Sequence, residues 1–220
     1  MKNLVKTSAL ALFCAFAMQT MAQGFLVQGG LNLSQLNVKV DGDVDKEGRK
    51  FQPGFQVGIL YEVPTRSDNL VFVPGVLLST KGTKIKIEED IFGETLKATS
   101  KINLYYLEMP LTVRYYFDAG SARMYFAAGP YVALGLVGNV KFEMSFMGES
   151  ESDSDDIEWG EDGFNRFDAG LIGGIGVEFG QFQVGAQYGF GLVNMLTDGD
   201  SENSIKNSVI SILLAYRIGG

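Results

Sequence analysis

An all-β fold is what this sequence predicts: an eight-stranded antiparallel up-and-down transmembrane β-barrel, with short periplasmic turns and long extracellular loops. Three observations predict it. Apolar residues alternate with polar residues or glycine at period two along eight segments. The connections between those segments alternate between short and long. The less apolar face of the segments is too sparse and too rich in glycine to clothe an exterior in water, but it suits a narrow interior.

The eight segments run over 24–38, 51–63, 70–87, 100–117, 123–142, 165–179, 182–194 and 207–218. In the second, Phe51, Phe55, Val57, Ile59, Tyr61 and Val63 share one face, and Gln52, Gly54, Gln56, Gly58 and Glu62 the other; Leu60 breaks the pattern. In the fourth, Tyr105, Leu107, Met109, Leu111, Val113, Tyr115 and Phe117 oppose Tyr106, Glu108, Thr112, Arg114 and Tyr116. The sixth sets Phe167, Leu171, Ile175, Val177 and Phe179 against Arg166, Asp168, Gly170, Gly174, Gly176 and Glu178. The seventh sets Phe182, Val184, Tyr188 and Phe190 against Gln183, Gly185, Gln187 and Gly189.

The connections read as a long loop at Val40 to Lys50, a turn at Pro64 to Asn69 and a long loop at Glu88 to Thr99. A turn at Asp118 to Ala122, a long loop at Ser145 to Phe164, a tight turn at Gly180-Gln181 and a long loop at Met195 to Lys206 follow. The short turns mark the periplasmic end.

A soluble lipocalin-like barrel has the same strand count. It would need its larger polar set outside, and here the larger set is apolar. Aromatic residues on that apolar face also gather at the ends of the segments. Tyr61, Phe72, Tyr115, Phe117, Phe126, Phe179, Phe182 and Tyr216 lie near the short turns; Phe51, Phe55, Tyr105, Phe167 and Phe190 lie near the long loops. Such girdles belong at the two membrane interfaces.

The same alternation points eight charges inward: Glu62, Lys81, Glu108, Arg114, Arg166, Asp168, Glu178 and Arg217. Four are acids and four are bases, so they are expected to pair in a lumen charge network, because an unpaired charge in so tight a space costs several kcal/mol. Glycines at 54, 58, 129, 170, 174, 176, 185 and 189 are expected to make room for Tyr106, Tyr116, Tyr125 and Tyr131. A filled lumen argues against an open pore; the alternative is a narrow channel for ions or small solutes, with the charges as a selectivity ring.

The first residues read as an export signal. Lys2 and Lys6 precede an apolar run from Ser8 to Met18, and Thr20-Met21-Ala22 places small residues where a signal peptidase cuts. The expected organisation is a signal peptide over 1–22 and an outer-membrane barrel domain over 23–220. Cleavage would remove Cys14, the only cysteine, and take the net charge from −8 to −10.

The segments Gly29-Gly30-Leu31-Asn32-Leu33-Ser34, Tyr106-Leu107-Glu108-Met109-Pro110-Leu111, Ala128-Gly129-Pro130-Tyr131 and Asn165-Arg166-Phe167-Asp168 occur in that order, closed by Val209 to Arg217. Together they resemble the PorT-like outer-membrane β-barrel (porin family) proteins of Bacteroidota, over nearly the whole chain after residue 22. The resemblance implies a small eight-stranded barrel, some of whose relatives assist a secretion system. Two departures stand out. Gly75 follows Pro74 where a lumenal acid is common, and the end is Ile218-Gly219-Gly220 rather than an aromatic residue.

Several chemistries are excluded or reduced. There is no histidine, which closes the His-based triads, metal sites and pH switches. Glu108 and Asp168 remain as a carboxylate pair for a His-independent envelope enzyme, against the plainer reading of ion-paired lumen residues. No cofactor is expected, and the chain reads as non-enzymatic. A charge of −8 argues against nucleic acid. The expected partners are outer-membrane lipid and lipopolysaccharide, with envelope or secretion-system proteins as docking partners. Ser145 to Asp162 holds eight acids and no base, with Trp159 as the chain's only tryptophan. Within it Asp153, Asp155 and Asp156 are weak candidates for a divalent cation, although the spacing is not that of an EF-hand; a solvated loop is the plainer reading. Ile157 and Trp159 hint at a contact surface.

Overall fold

The computed structural model describes residues 24–41, 43–45, 48–91, 94–146, 149–160, 163–197 and 202–218. The expected export signal over 1–22, with Cys14, and the Gly219-Gly220 end lie outside the described residues. Twelve strands are described: β1 (Phe25–Val40), β2 (Asp43–Asp45), β3 (Arg49–Lys50), β4 (Gln52–Tyr61), β5 (Val63–Pro64), β6 (Leu70–Ile91), β7 (Glu94–Ala119), β8 (Ala122–Phe146), β9 (Glu149–Asp156), β10 (Phe167–Phe179), β11 (Phe182–Gly191) and β12 (Ser204–Ile218).

Eight of them close a ring. The hydrogen-bonded order is β10-β11-β12-β1-β4-β6-β7-β8, and β8 pairs back to β10 from Phe167↔Leu134 to Glu178↔Arg123. Every pairing is antiparallel, including the first strand against the last, where Phe25 faces Ile218. Closure leaves the wall of the barrel no free edge, which a strand must achieve to cross lipid.

The two faces are inverted relative to a soluble protein. Val57, Ile59, Val76, Leu107, Met109, Phe126, Leu171, Ile175, Ile212 and Leu214 are exposed, whereas Gln28, Asn32, Gln56, Lys81, Glu108, Arg114, Asp168 and Gln183 are buried. Leu60, the exception in the alternation, points inward and packs with Leu26, Val73, Leu77 and Ala215. Its side chain fills the space that a Cβ on Gly75 would need. At the periplasmic interface Phe117 stacks on Phe126 (5.4 Å between centroids) and Phe182 meets Tyr216 at 5.1 Å. Phe25, which alternation did not single out, joins Tyr61 at 4.9 Å.

Three of the expected long loops are strand. About ten residues of tilted strand cross a bilayer, yet β6, β7 and β8 have 22, 26 and 25 residues. β6 and β7 stay in register to Ile91↔Glu94, through the expected loop at 88–99. β8 continues to Phe146 and is joined by β9, so the acidic segment forms a strand against Asn139–Phe146. The loop at 40–50 contains β2 and β3. Beyond the membrane both faces of a strand can be polar, so the hydropathy contrast fades while the backbone ladder continues. A four-stranded sheet, β6-β7-β8-β9, therefore stands about 35 Å along the strand beyond Tyr105.

Candidate functional site

The site is the filled lumen. Small residues beside large ones create the room for its charges. Glu108, Ala133 and Asp168 lie in one cross-strand row, and the methyl of Ala133 leaves a gap between the two carboxylates. Lys81 reaches that gap from β6, the strand hydrogen-bonded to β7, from a position four residues beyond Leu77, the partner of Glu108. Its Nζ lies 2.8 Å from Glu108 Oε2 and 3.0 Å from Asp168 Oδ2. Asp168 Oδ2 also accepts hydrogen bonds from Tyr131 Oη (3.2 Å) and Asn207 Nδ2 (2.8 Å). The Lys81 ammonium sits 4.1 Å from the Tyr131 ring centroid and 5.1 Å from that of Tyr106. This upper layer is dry: Lys81 and Asp168 are 3% and 0% exposed.

A second layer lies nearer the periplasm. Arg217 donates to Glu62 Oε2 at 2.8 Å and to Glu178 Oε2 at 2.5 Å. Arg114 Nη1 lies 3.7 Å from Glu62 Oε1 and donates to Gln183 Oε1 at 2.8 Å. Tyr116 Oη donates to Glu62 Oε1 at 2.6 Å, and Gln183 Nε2 to Glu178 Oε2 at 2.8 Å. The Arg114 guanidinium lies 4.7 Å from the ring of Tyr125. A Cβ on Gly176 would collide with that ring, so the glycine is what admits it.

Above both layers is an apolar stopper. Leu36, Leu104, Tyr106, Tyr131, Ile172 and Met195 form a buried cluster, against which Ile157, Trp159 and Phe164 pack. Trp159 meets Tyr106 edge-on at 6.0 Å and lies over Gly135, where a Cβ would stand 2.5 Å from the indole. The cavity lined by Gln28, Leu60, Arg114 and Tyr125 holds about 20 Å³, and that lined by Gln56, Lys81, Glu108 and Tyr131 about 10 Å³. Spaces of that size fit roughly one water.

Residues 20–197 match the family model described as outer membrane protein beta-barrel domain. The chain belongs to the outer membrane protein beta-barrel domain family. It is thus a protein of the bacterial outer membrane, and the exposed apolar band is its lipid-facing surface. No curated protein matches it. Solved structures similar to this family member include Neisserial surface protein A (14% identity, 88% of this chain and 97% of that one, TM-score 0.41). Another is Ail of Yersinia pestis in complex with the heparin analogue sucrose octasulfate (20%, 88% and 98%, TM-score 0.33). A third is the translocator domain of the autotransporter NalP from Neisseria meningitidis (13%, 96% and 97%, TM-score 0.30).

Within this barrel, seven of the eight charges expected inside occupy the two layers. Arg166 does not. It is exposed and precedes the first residue of β10, so strand alternation does not yet govern it; its carbonyl accepts the Gly135 amide at 2.7 Å at the mouth. Glu108 and Asp168 do come together, but on Lys81. Asp153, Asp155 and Asp156 are exposed along β9, with Asp153 facing Phe142 and Asp156 facing Asn139 across the ladder. Adjacent strand residues point to opposite faces, which separates Asp155 from Asp156. No cluster of metal-ligating side chains occurs among the described residues. Ile157 and Trp159 turn inward as part of the stopper instead of outward as a contact surface. Gln183 lies on the inward face that alternation gave it, but its links to the ionic groups, and those of Asn207, carry no signal in the sequence; Met195, expected in a loop, is buried in the stopper.

Proposed function

We propose that this protein is a non-enzymatic, stoppered barrel that holds a projecting extracellular sheet in the outer membrane and docks envelope or secretion-system proteins there, as a PorT-like barrel of Bacteroidota, after removal of residues 1–22. One observation carries the reading: a half-buried ionic layer, a buried one above it and an apolar stopper follow one another from the periplasmic side to the mouth. Ions would have to break those layers to pass. The carboxylates best placed for acid–base chemistry, Glu108 and Asp168, are both committed to one ammonium, and the cavity beside Glu108 holds about 10 Å³.

Planar-bilayer recording on the refolded chain tests this. The expected trace shows no reproducible openings at neutral pH. Discrete, ion-selective steps would favour the narrow channel. A mass change in lipid A on expression would favour an enzyme.

A further inference from the structure

The outer face of the wall changes character in steps as it leaves the membrane. Along β7 the outward residues are Met109, Leu107, Tyr105, Asn103 and then Lys101. On β8 a bulge opposite Tyr105/Tyr106 adds a residue, so Val137, Asn139 and Lys141 follow one another outward; Gly138 lies inward against Leu104 and Ile157. The amides form their own row: Gln52 donates to Asn103 at 2.7 Å and Asn103 to Asn139 at 3.0 Å. Apolar, aromatic, amide and then cationic is the order in which a surface passes from hydrocarbon into headgroups.

The cations are aligned. Lys50 of β3 faces Lys84 of β6, Lys84 faces Lys101 of β7, and Lys101 faces Lys141 of β8. Like charges directly opposite one another destabilise a sheet, and this row sets four side by side in a protein of net charge −8. Among the described residues the row forms one ion pair, in which Glu143 accepts a hydrogen bond from Lys101 at 2.7 Å; Asp156 stands opposite Asn139, diagonal to Lys141. Lys101 and Lys141 stand four residues beyond Tyr105 and Val137, about 13 Å along the strand and about 10 Å in height at a strand tilt of about 40°. The headgroup layer is roughly 5–7 Å thick on each side, and lysine stems bend back toward it.

Resting on the outer-membrane reading above, we propose that the row Lys50–Lys84–Lys101–Lys141 binds the phosphate groups of the outer leaflet's own glycolipid, with the amide row beneath it contacting the sugars. The phosphates supply the counter-charge that the row lacks, and the site ties the projecting sheet to the membrane beside it.

The test measures retention of diphosphorylated lipid A by the full chain in detergent micelles, read by native mass spectrometry. Wild type should retain it; the same lipid stripped of its phosphates should be retained at least tenfold less. Each lysine at an anionic membrane surface contributes about fivefold, so K84Q/K141Q should weaken retention by roughly 25-fold and K50Q/K84Q/K101Q/K141Q further. Arg66, exposed on a periplasmic turn, supplies the control: R66Q should behave as wild type. Retention within twofold of wild type in K84Q/K141Q, or an equal loss in R66Q, would overturn the proposal. Inorganic phosphate that displaces the lipid at equal concentration would overturn its assignment to a lipid. Heat-modifiable gel migration of each variant checks the barrel separately, so a chain that never forms a barrel speaks against the earlier reading, and a well-formed variant that keeps its lipid speaks against this one alone.

Discussion

The two ionic layers of the lumen solve the same problem with different margins. The upper layer has one cation for two carboxylates, and both lean on the Lys81 ammonium. The lower has two cations and two carboxylates, cross-linked through Gln183 and Tyr116, with Arg217 21% exposed toward the periplasm. A dry layer that depends on one residue is brittle. A balanced layer with access to water is redundant. The stopper's firmness therefore rests on the upper end, where the aromatic rings and Trp159 exclude solvent.

The largest expected effect follows directly. Lys81→Met leaves Glu108 and Asp168 buried and facing each other without a cation. Breaking a buried pair by removing one partner costs about 3–5 kcal/mol, to be read as loss of unfolding free energy in urea for the chain folded in lipid vesicles. The triple replacement K81M/E108Q/D168N should recover most of it, since neutral partners need no counter-charge. A single variant as stable as wild type would show that the upper layer does not depend on Lys81.

Much of this arrangement was legible in the sequence, and the reason is geometric. A period of two sorts residues to two faces wherever the faces meet different solvents, so Val57 and Gln56, or Met109 and Glu108, separate cleanly where lipid lies on one side. The rule fails where that contrast ends. Arg166 precedes its strand, β9 resembles a loop in sequence because its faces are both polar, and the bulge opposite Tyr105/Tyr106 reverses the parity of β8 above it. Register is the other missing quantity: nothing local in the sequence says that Lys84, Lys101 and Lys141 stand side by side.

Gly135→Val tests the stopper next. A Cβ at Gly135 already meets the indole of Trp159, so a branched side chain must push it out of the mouth. Overpacking of this kind costs about 1–3 kcal/mol. As the only tryptophan, Trp159 reports its own displacement: its emission should shift to the red. Unchanged emission would mean that the mouth is looser than the upper layer requires.

Arg217→Gln probes the redundancy of the lower layer. Glu62 keeps Tyr116 and Arg114, and Glu178 keeps the Gln183 amide. With those partners in place and solvent near the guanidinium, the expected loss is about 1–2 kcal/mol, well short of that for K81M in the same urea assay. Equal losses would show that the lower layer has no redundancy.

The smallest effect belongs to a charge pair outside the membrane, which lacks the burial that both layers share. Glu143 is exposed on the projecting sheet. The hydrogen bond from Lys101 holds its carboxyl below the usual value of 4.5, with the charges of Lys101, Lys84 and Lys141 acting in the same sense. A depressed folded value fixes the sign: the pair contributes its stability above the unfolded carboxylate range and loses it as the pH falls through the folded one. Wild type and E143Q should therefore differ slightly at pH 7 and converge below about pH 4.5, as followed by urea unfolding across that window. Salt should erase the difference at pH 7 as well, because exposed charges are screened over about 10 Å at 0.1 M, whereas salt should leave the cost of K81M nearly untouched. A salt response shared by both would mean that the upper layer is wet, and the contrast between the two ends of the lumen would be lost.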